Sequence, residues 1–173
     1  MESRQSSNTG PREGGRAGRS GGHRTLDDAD RRIIGELVRD ARVSVRQLAE
    51  RVHISRANAY ARLDRLMRDG VIAGFSARVV PERAGLATSA YVSVSIEQNT
   101  WRDVSERLRE LPYVDHLALV GADFDVLVQV RAPDNAALRE IVLEQIQAIQ
   151  GVKGTRTWLI FEEMPGAGPV WEP

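Results

Sequence analysis

The residues best suited to chemistry with a polyanion lie on one short stretch, Ser55 to Asp69, SRANAYARLDRLMRD. Ala59, Leu63 and Leu66 recur at i, i+4 and i+7, a spacing that predicts a helix packed inward by one face. The opposite face carries Arg56, Asn58, Tyr60, Arg62 and Arg65, with no acid before Asp64. Guanidinium forks and a carboxamide are the groups that pair bidentately with base edges and phosphates. The stretch therefore has the outline of a recognition helix for double-stranded DNA. By position, Arg56, Asn58 and Tyr60 are expected to touch bases, and Arg62 and Arg65 to hold phosphates. Ser55 suits an N-cap and Gly70 a left-handed C-cap. A solvated, Arg-rich surface helix is the plain alternative, and the neighbouring elements decide between the two.

Composition narrows the other chemistries. The chain has 173 residues and no cysteine, which excludes disulfides, thiolate metal sites and thiol nucleophiles. Its formal charge of zero conceals an asymmetry: residues 1–24 carry a net +3, residues 25–80 a net +3 and residues 81–173 a net −6. A basic front on an acidic back suits a polyanion meeting the first half. Residues 1–24 hold six of the 15 glycines and almost no large apolar side chain, so they are expected to form a disordered basic tail. There is no apolar run fit for a secretory signal or a membrane span. A cytoplasmic chain with no membrane association is expected. Arg outnumbers Lys 23 to one.

The elements that would hold the recognition helix can be read on either side of it. Asp27 caps a first helix with Ile33, Ile34, Leu37 and Val38 inward, and Asp28 and Asp30 stand in its first turn. Ser44-Val45-Arg46-Gln47 is a capping box that opens a second short helix through Leu48, Ala49 and Val52. Only Val52 to Ile54 separate this helix from the third, so the two cross steeply as a helix-turn-helix, with His53 where Gly is usual. Val71-Ile72 and Ala73 to Val79 predict two short strands around Gly74, a small wing. LDDADRRII, SVRQLAERVHIS and ARLDRLMRDGVIAGF together resemble the DNA-binding domain of the Lrp/AsnC (feast/famine) transcription regulators. The resemblance runs from Leu26 to about Phe161.

Pro81 to Leu86 breaks the pattern as a hinge would, placing a domain of residues 25–80 before a hinge at 81–87. Beyond it, strands Ala90 to Ile96, Val114 to Val120, Asp125 to Arg131 and Val152 to Phe161 alternate with helices over Thr100 to Leu111 and Asp134 to Gln150. The order βαββαβ predicts an α+β chain whose second domain, residues 88–161, is a ferredoxin-like sheet with both helices on one face. Residues 162–173 form a Gly- and Pro-rich tail containing Trp171. Leu117, Leu119, Leu127, Trp158 and Ile160 are expected on the uncovered face, which would then need a second copy to cover it. The expected assembly is a homodimer or a higher even-numbered homo-oligomer.

The turn GADFD, Gly121 to Asp125, looks like the family's Gly-x-Tyr/Phe-Asp motif, which implies an effector site for an amino acid or related metabolite. Gly121 would expose backbone N–H groups to a carboxylate, Asp123 or Asp125 would receive an ammonium, and Phe124 would wall the pocket. A hairpin turn is the plain alternative. Asp125 is the preferred ammonium partner. No catalytic residue, metal or cofactor is expected. An enzyme of the sirohaem decarboxylase type, which shares this architecture, is the alternative function. It would lean on His and Arg, and this chain offers only His23, His53 and His116.

Overall fold

A computed structural model describes residues 25–121 and 123–171, so the tail expected at 1–24 lies outside the described residues. The described residues fall into two compact units, 25–75 with 169–171 and 76–168.

The first unit contains α1 (Asp28–Arg39), α2 (Val45–Val52) and α3 (Arg56–Arg68). Both capping signatures are present: Asp27 and Asp30 exchange backbone and side-chain bonds at α1, and Ser44 and Gln47 do so at α2. Ile33, Leu48, Val52, Ala59 and Leu66 are at most 1% exposed, so the core lies where the three helices meet. Trp171 of the C-terminal tail packs on this cluster; a Cβ added at Gly35 would stand 3.4 Å from its own Cβ.

His53 ends α2 in the left-handed region, at φ 60 and ψ 45, with its N–H donating to the carbonyls of Ala49 and Glu50. The Ile54 N–H also returns to Ala49, so the turn is closed by hydrogen bonds even though an L side chain is strained there. The expected wing strands do not form: no residue from 71 to 80 is in a strand. The reason lies in the end of α3. Gly70 adopts φ 72, its N–H donates to Met67, and the N–H groups of Val71 and Ile72 return to the Leu66 carbonyl at 2.9 and 3.0 Å. A Schellman closure thus consumes the donors that a strand at Val71-Ile72 would have needed.

The second unit contains β1 (Thr88–Ile96), α4 (Trp101–Glu110), β2 (Val114–Leu119), β3 (Val126–Ala132), α5 (Asn135–Glu140) and β4 (Val152–Ile160), preceded by a 3-10 turn at Pro81–Ala84. The strands form one antiparallel sheet in the order β2-β3-β1-β4. Val104 and Leu108 of α4, together with Leu138, Ile141, Val142 and Ile146, pack with Val92, Val94, Val126 and Val128 in one cluster, so both helical segments cover the same face. The helix expected to run to Gln150 changes character at Ile141, where Ile141–Ile146 forms a π-helical turn.

Strand register corrects the expected bare face. Leu117 pairs with Val128 and Leu119 with Val126, and both partners are fully buried under the helices. Directly opposed residues share a face, so Leu117 and Leu119 belong to the covered side. Chain numbering hides this, because an antiparallel hairpin whose paired positions sum to an odd number sets odd residues against even ones. The open face is built instead from Tyr91, Ala118, Leu127, Trp158 and Ile160, interleaved with Ser89, Ser93, Gln129, Arg131 and Arg156. It is mixed in character, not uniformly apolar.

His53→Gly should raise stability by about 1 kcal/mol, because glycine adopts φ 60 without a Cβ penalty. A thermal melt checks this, and a variant no more stable than the parent would mean that the imidazole makes a contact worth as much as the strain.

Candidate nucleic-acid and effector sites

The N-terminal, outward part of α3 is exposed on one face. Arg56, Asn58 and Tyr60 are exposed, Tyr60 at 56%, while Ala59 between them is wholly buried. Ser55 caps the helix by accepting from the Asn58 N–H, so the first turn of backbone donors and the Arg56 guanidinium point the same electrostatic sign outward.

Arg62 and Arg65 are employed differently from the expectation that they hold phosphates. Arg62 Nη1 donates to both carboxylate oxygens of Asp27 at 2.7 Å and to Asp30 Oδ1 at 2.8 Å, and Arg65 Nη2 donates to that same Asp30 oxygen. The Asp30 side chain is 1% exposed. A carboxylate that deeply buried is strongly destabilising unless cations reach it. These two guanidiniums are therefore tied inside the fold, binding α3 to the start of α1. Arg62 also turns its Nε to Asn58 Oδ1 at 2.9 Å, which fixes the rotamer of an outward residue from below. The first-turn acids of α1 were legible as dipole partners in the sequence. Their second role, as the anchor of α3, was not, because it depends on a contact 32 to 35 residues away.

The loop after β2 separates the expected effector residues. Asp125 is held by the sheet: its Oδ2 accepts from the Ile96 N–H at 2.8 Å, its own N–H donates to Val94, and its carbonyl accepts from Val120. The β1–β3 ladder ends at Val94 and Val126, so the Asp125 carboxylate replaces the next missing carbonyl. Asp123 and Phe124 instead line a cavity of about 310 Å³ on the open face with Ser93, Ser95, Gly154, Thr155 and Arg156. Asp125 borders a different cavity of about 330 Å³, with Glu97, Gln98 and Trp101. Gly121 is exposed, and a Cβ there would meet nothing within 4 Å. Sequence reading missed Arg156; the signal available was its period-two spacing with Trp158 on β4.

Arg131 on the open face donates to Asp115 Oδ2 at 2.8 Å and pairs with Glu163 of the C-terminal segment, which also accepts from Gln129. The Arg131 guanidinium holds the Glu163 carboxyl below the usual carboxylate range. Of the histidines, His53 occupies the helix-turn-helix turn, His116 pairs with Gln129 in the sheet, and His23 lies outside the described residues. Among the described residues no group of acids and histidines is arranged to hold a metal. No helix there is long and apolar enough to cross a membrane.

Comparison with known proteins matches residues 26–73 to a winged helix-turn-helix DNA-binding domain and residues 89–167 to the Lrp/AsnC ligand binding domain. The HTH-type transcriptional regulator AldR of Mycolicibacterium smegmatis is 40% identical over 151 residues, covering 85% of this chain and 88% of that protein. The leucine-responsive regulatory protein of Escherichia coli K12 is 31% identical over 142 residues, 80% of this chain and 87% of that one. Among solved structures, a transcriptional regulator from Neisseria meningitidis in complex with L-Met superposes with a TM-score of 0.76 at 26% identity, covering 82% of this chain and 94% of that chain.

Removing the anchor should unseat α3. Asp30→Ala is expected to cost about 3 kcal/mol in urea denaturation, because Arg65 loses its acid and the capping box opens. Asp28→Ala, which removes only a first-turn charge, should cost less than about 1 kcal/mol. Arg62 holds the Asp27 carboxyl down to about 2. A depressed carboxyl contributes stability that is complete above its unfolded value and is lost as the pH falls through the folded one. The Asp27 contribution should therefore fade between about pH 4 and pH 2. Equal costs for the two alanine variants would dismiss the anchor.

Proposed function

We propose, for a chain that belongs to the Lrp/AsnC family of transcription regulators, that α3 reads operator DNA through Arg56, Asn58 and Tyr60 while Arg62 and Arg65 hold the helix in place. The observation that carries this reading is the division of α3 into an exposed, acid-free N-terminal face and a clamped C-terminal half. A reading helix is useful only if its side chains are held in register with the groove, and the Arg62 to Asn58 bond supports one of them directly. The curated relatives AldR and the leucine-responsive regulatory protein are transcription regulators, which favours gene control over the tetrapyrrole-enzyme alternative.

Effector control rests in the second unit, through the loop Gly121 to Asp125. The Neisseria relative was solved with L-Met, and a free amino acid is the effector class that suits a cavity of about 310 Å³ lined by both signs of charge. Gly121 supports it by leaving space beside the loop. The working form is an even-numbered homo-oligomer, at least a dimer, in which a second copy covers the open sheet face around Tyr91, Leu127 and Trp158. Two helix-turn-helix units then favour an imperfect palindrome or phased sites about 10 bp apart.

Two measurements check this reading. Arg56→Ala or Asn58→Ala should weaken binding to upstream DNA by about 1–3 kcal/mol and shift base preference in a mobility-shift assay over operator variants. A uniform loss across all sequences would reassign them to phosphate. Light scattering at micromolar concentration should give at least twice the 19.2 kDa chain mass, with Trp158→Arg lowering it. A parent protein that runs as a monomer would overturn the proposed assembly.

A further inference from the structure

We infer that Arg62 sets a base preference without touching DNA, by turning the Asn58 carboxamide so that α3 presents only donors at that position and selects guanine over adenine. This rests on the reading of α3 as the DNA-contacting helix and names the base that one of its side chains takes. An unconstrained asparagine pairs bidentately with adenine, its oxygen accepting from the N6 amino group while its amide donates to N7. Here the oxygen is engaged. Arg62, one turn further along the helix, donates its Nε–H to Asn58 Oδ1 at 2.9 Å. Only the oxygen of a carboxamide can accept from a guanidinium, so the bond also assigns which end of the Asn58 amide is which.

Both partners are held in place. The Asn58 backbone N–H donates to Ser55 Oγ at 3.2 Å in the cap of α3. Arg62 Nη1 donates to both oxygens of Asp27 and to Asp30, which fixes the guanidinium plane that carries Nε. Swinging Oδ1 toward a base would leave the Nε–H unpartnered, and turning the amide over would set that N–H against another donor. A bond from a charged donor is the stronger kind, so both movements are opposed. The amino group of the Asn58 amide is left for the groove, and among the described residues nothing accepts from it. Its two hydrogens match the O6 and N7 acceptors of guanine, whereas adenine sets one acceptor beside a donor, thymine one beside a methyl group, and cytosine a donor alone. Arg56 has the same polarity: it is exposed, and among the described residues its guanidinium makes no hydrogen bond or ion pair. The outward start of α3 is thus a donor surface, on which the Tyr60 hydroxyl alone remains to accept.

The test uses the full chain and a pool of random-sequence duplexes, from which bound sites are selected at one salt concentration. Asn58→Ala should lose its preference at one position of the selected site, and that position is the one Asn58 reads. There the parent should favour a G·C pair over an A·T pair, in either orientation, by at least about fivefold. Replacing that guanine with 7-deazaguanine, which lacks N7, should weaken binding. Arg62→Met removes the donor and releases Oδ1, so the same position should move at least about fivefold toward an A·T pair while preferences elsewhere in the site are kept. A role of Arg62 in stability alone would lower affinity for every sequence alike and leave the choice of base untouched. Urea denaturation of each variant separates lost fold from changed reading; if Arg62→Met does not fold, the parent's choice of base and the 7-deazaguanine duplex decide. If the parent favours an A·T pair at that position, tolerates 7-deazaguanine, or passes its G·C preference unchanged to Arg62→Met, this inference is overturned and α3 remains the reading helix. If Asn58→Ala shifts no position, Asn58 does not read a base, and this inference fails together with that part of the proposed function.

Discussion

A carboxylate with 1% exposure, Asp30, is the constraint around which the DNA-binding unit is arranged. Buried charge is tolerated only where opposite charge and hydrogen bonds replace water; here the opposite charge comes from α3, and the Asp27 N–H adds a hydrogen bond to the other carboxylate oxygen. Arg62 and Arg65 descend from α3 to the first turn of α1, and the box formed by Asp27 and Asp30 caps α1 from the same position. One acid pair thus ends one helix and locates another. The energetic logic differs from that of the apolar seam of Ile33, Leu48 and Leu66. Apolar burial brings the helices together without direction, whereas forked bonds to a fixed carboxylate set how α3 is rotated about its axis, which decides the residues that face outward.

The second unit solves a different problem. Central β1 is bonded on both sides, to β3 and β4, and its side chains alternate between a helix-covered face of Ala90, Val92 and Val94 and an open face of Ser89, Tyr91 and Ser93. Small hydroxyls in the middle of the open face, with aromatic and charged groups around them, make a surface that is neither a plain core nor a plain solvent face. Ser89 and Ser93 are already at most 7% exposed in a single chain. Such a face suits a mixed interface with a polar corner better than a wholly apolar one.

Much of this was legible in the sequence, and most of the failures share one cause. Capping boxes, the tight helix-turn-helix connection, the C-cap at Gly70 and the βαββαβ order are local signals, written within a few residues of where they act. What depended on partners far along the chain was not readable. The missing wing strands have a local cause instead, the N–H groups of Val71 and Ile72 being already taken by the Leu66 carbonyl, but the side of the sheet taken by Leu117 and Leu119 depends on hairpin register, and the roles of Arg62 and Arg65 on acids in α1. Asp125 follows the same rule. Its motif invited a ligand role, while its carboxylate faces the place where the β1–β3 ladder stops.

That last detail bears on how an effector could matter at all. A ligand shifts an equilibrium only by the difference in its affinity for the two states. Asp125 joins the loop to β1 by a backbone bond to Val94 and a side-chain bond from Ile96, and Ser93 and Ser95 of that same strand line the cavity with Asp123 and Phe124. A molecule in that cavity therefore touches the loop, the central strand and β4 together. It does so on the sheet face that a second copy would cover, beside Trp158. Under the proposed function, occupancy and assembly would draw on the same few side chains, and neither could change without altering the free energy of the other. Coupling of that kind requires no path through the core; it follows from two binding events sharing one corner of one sheet.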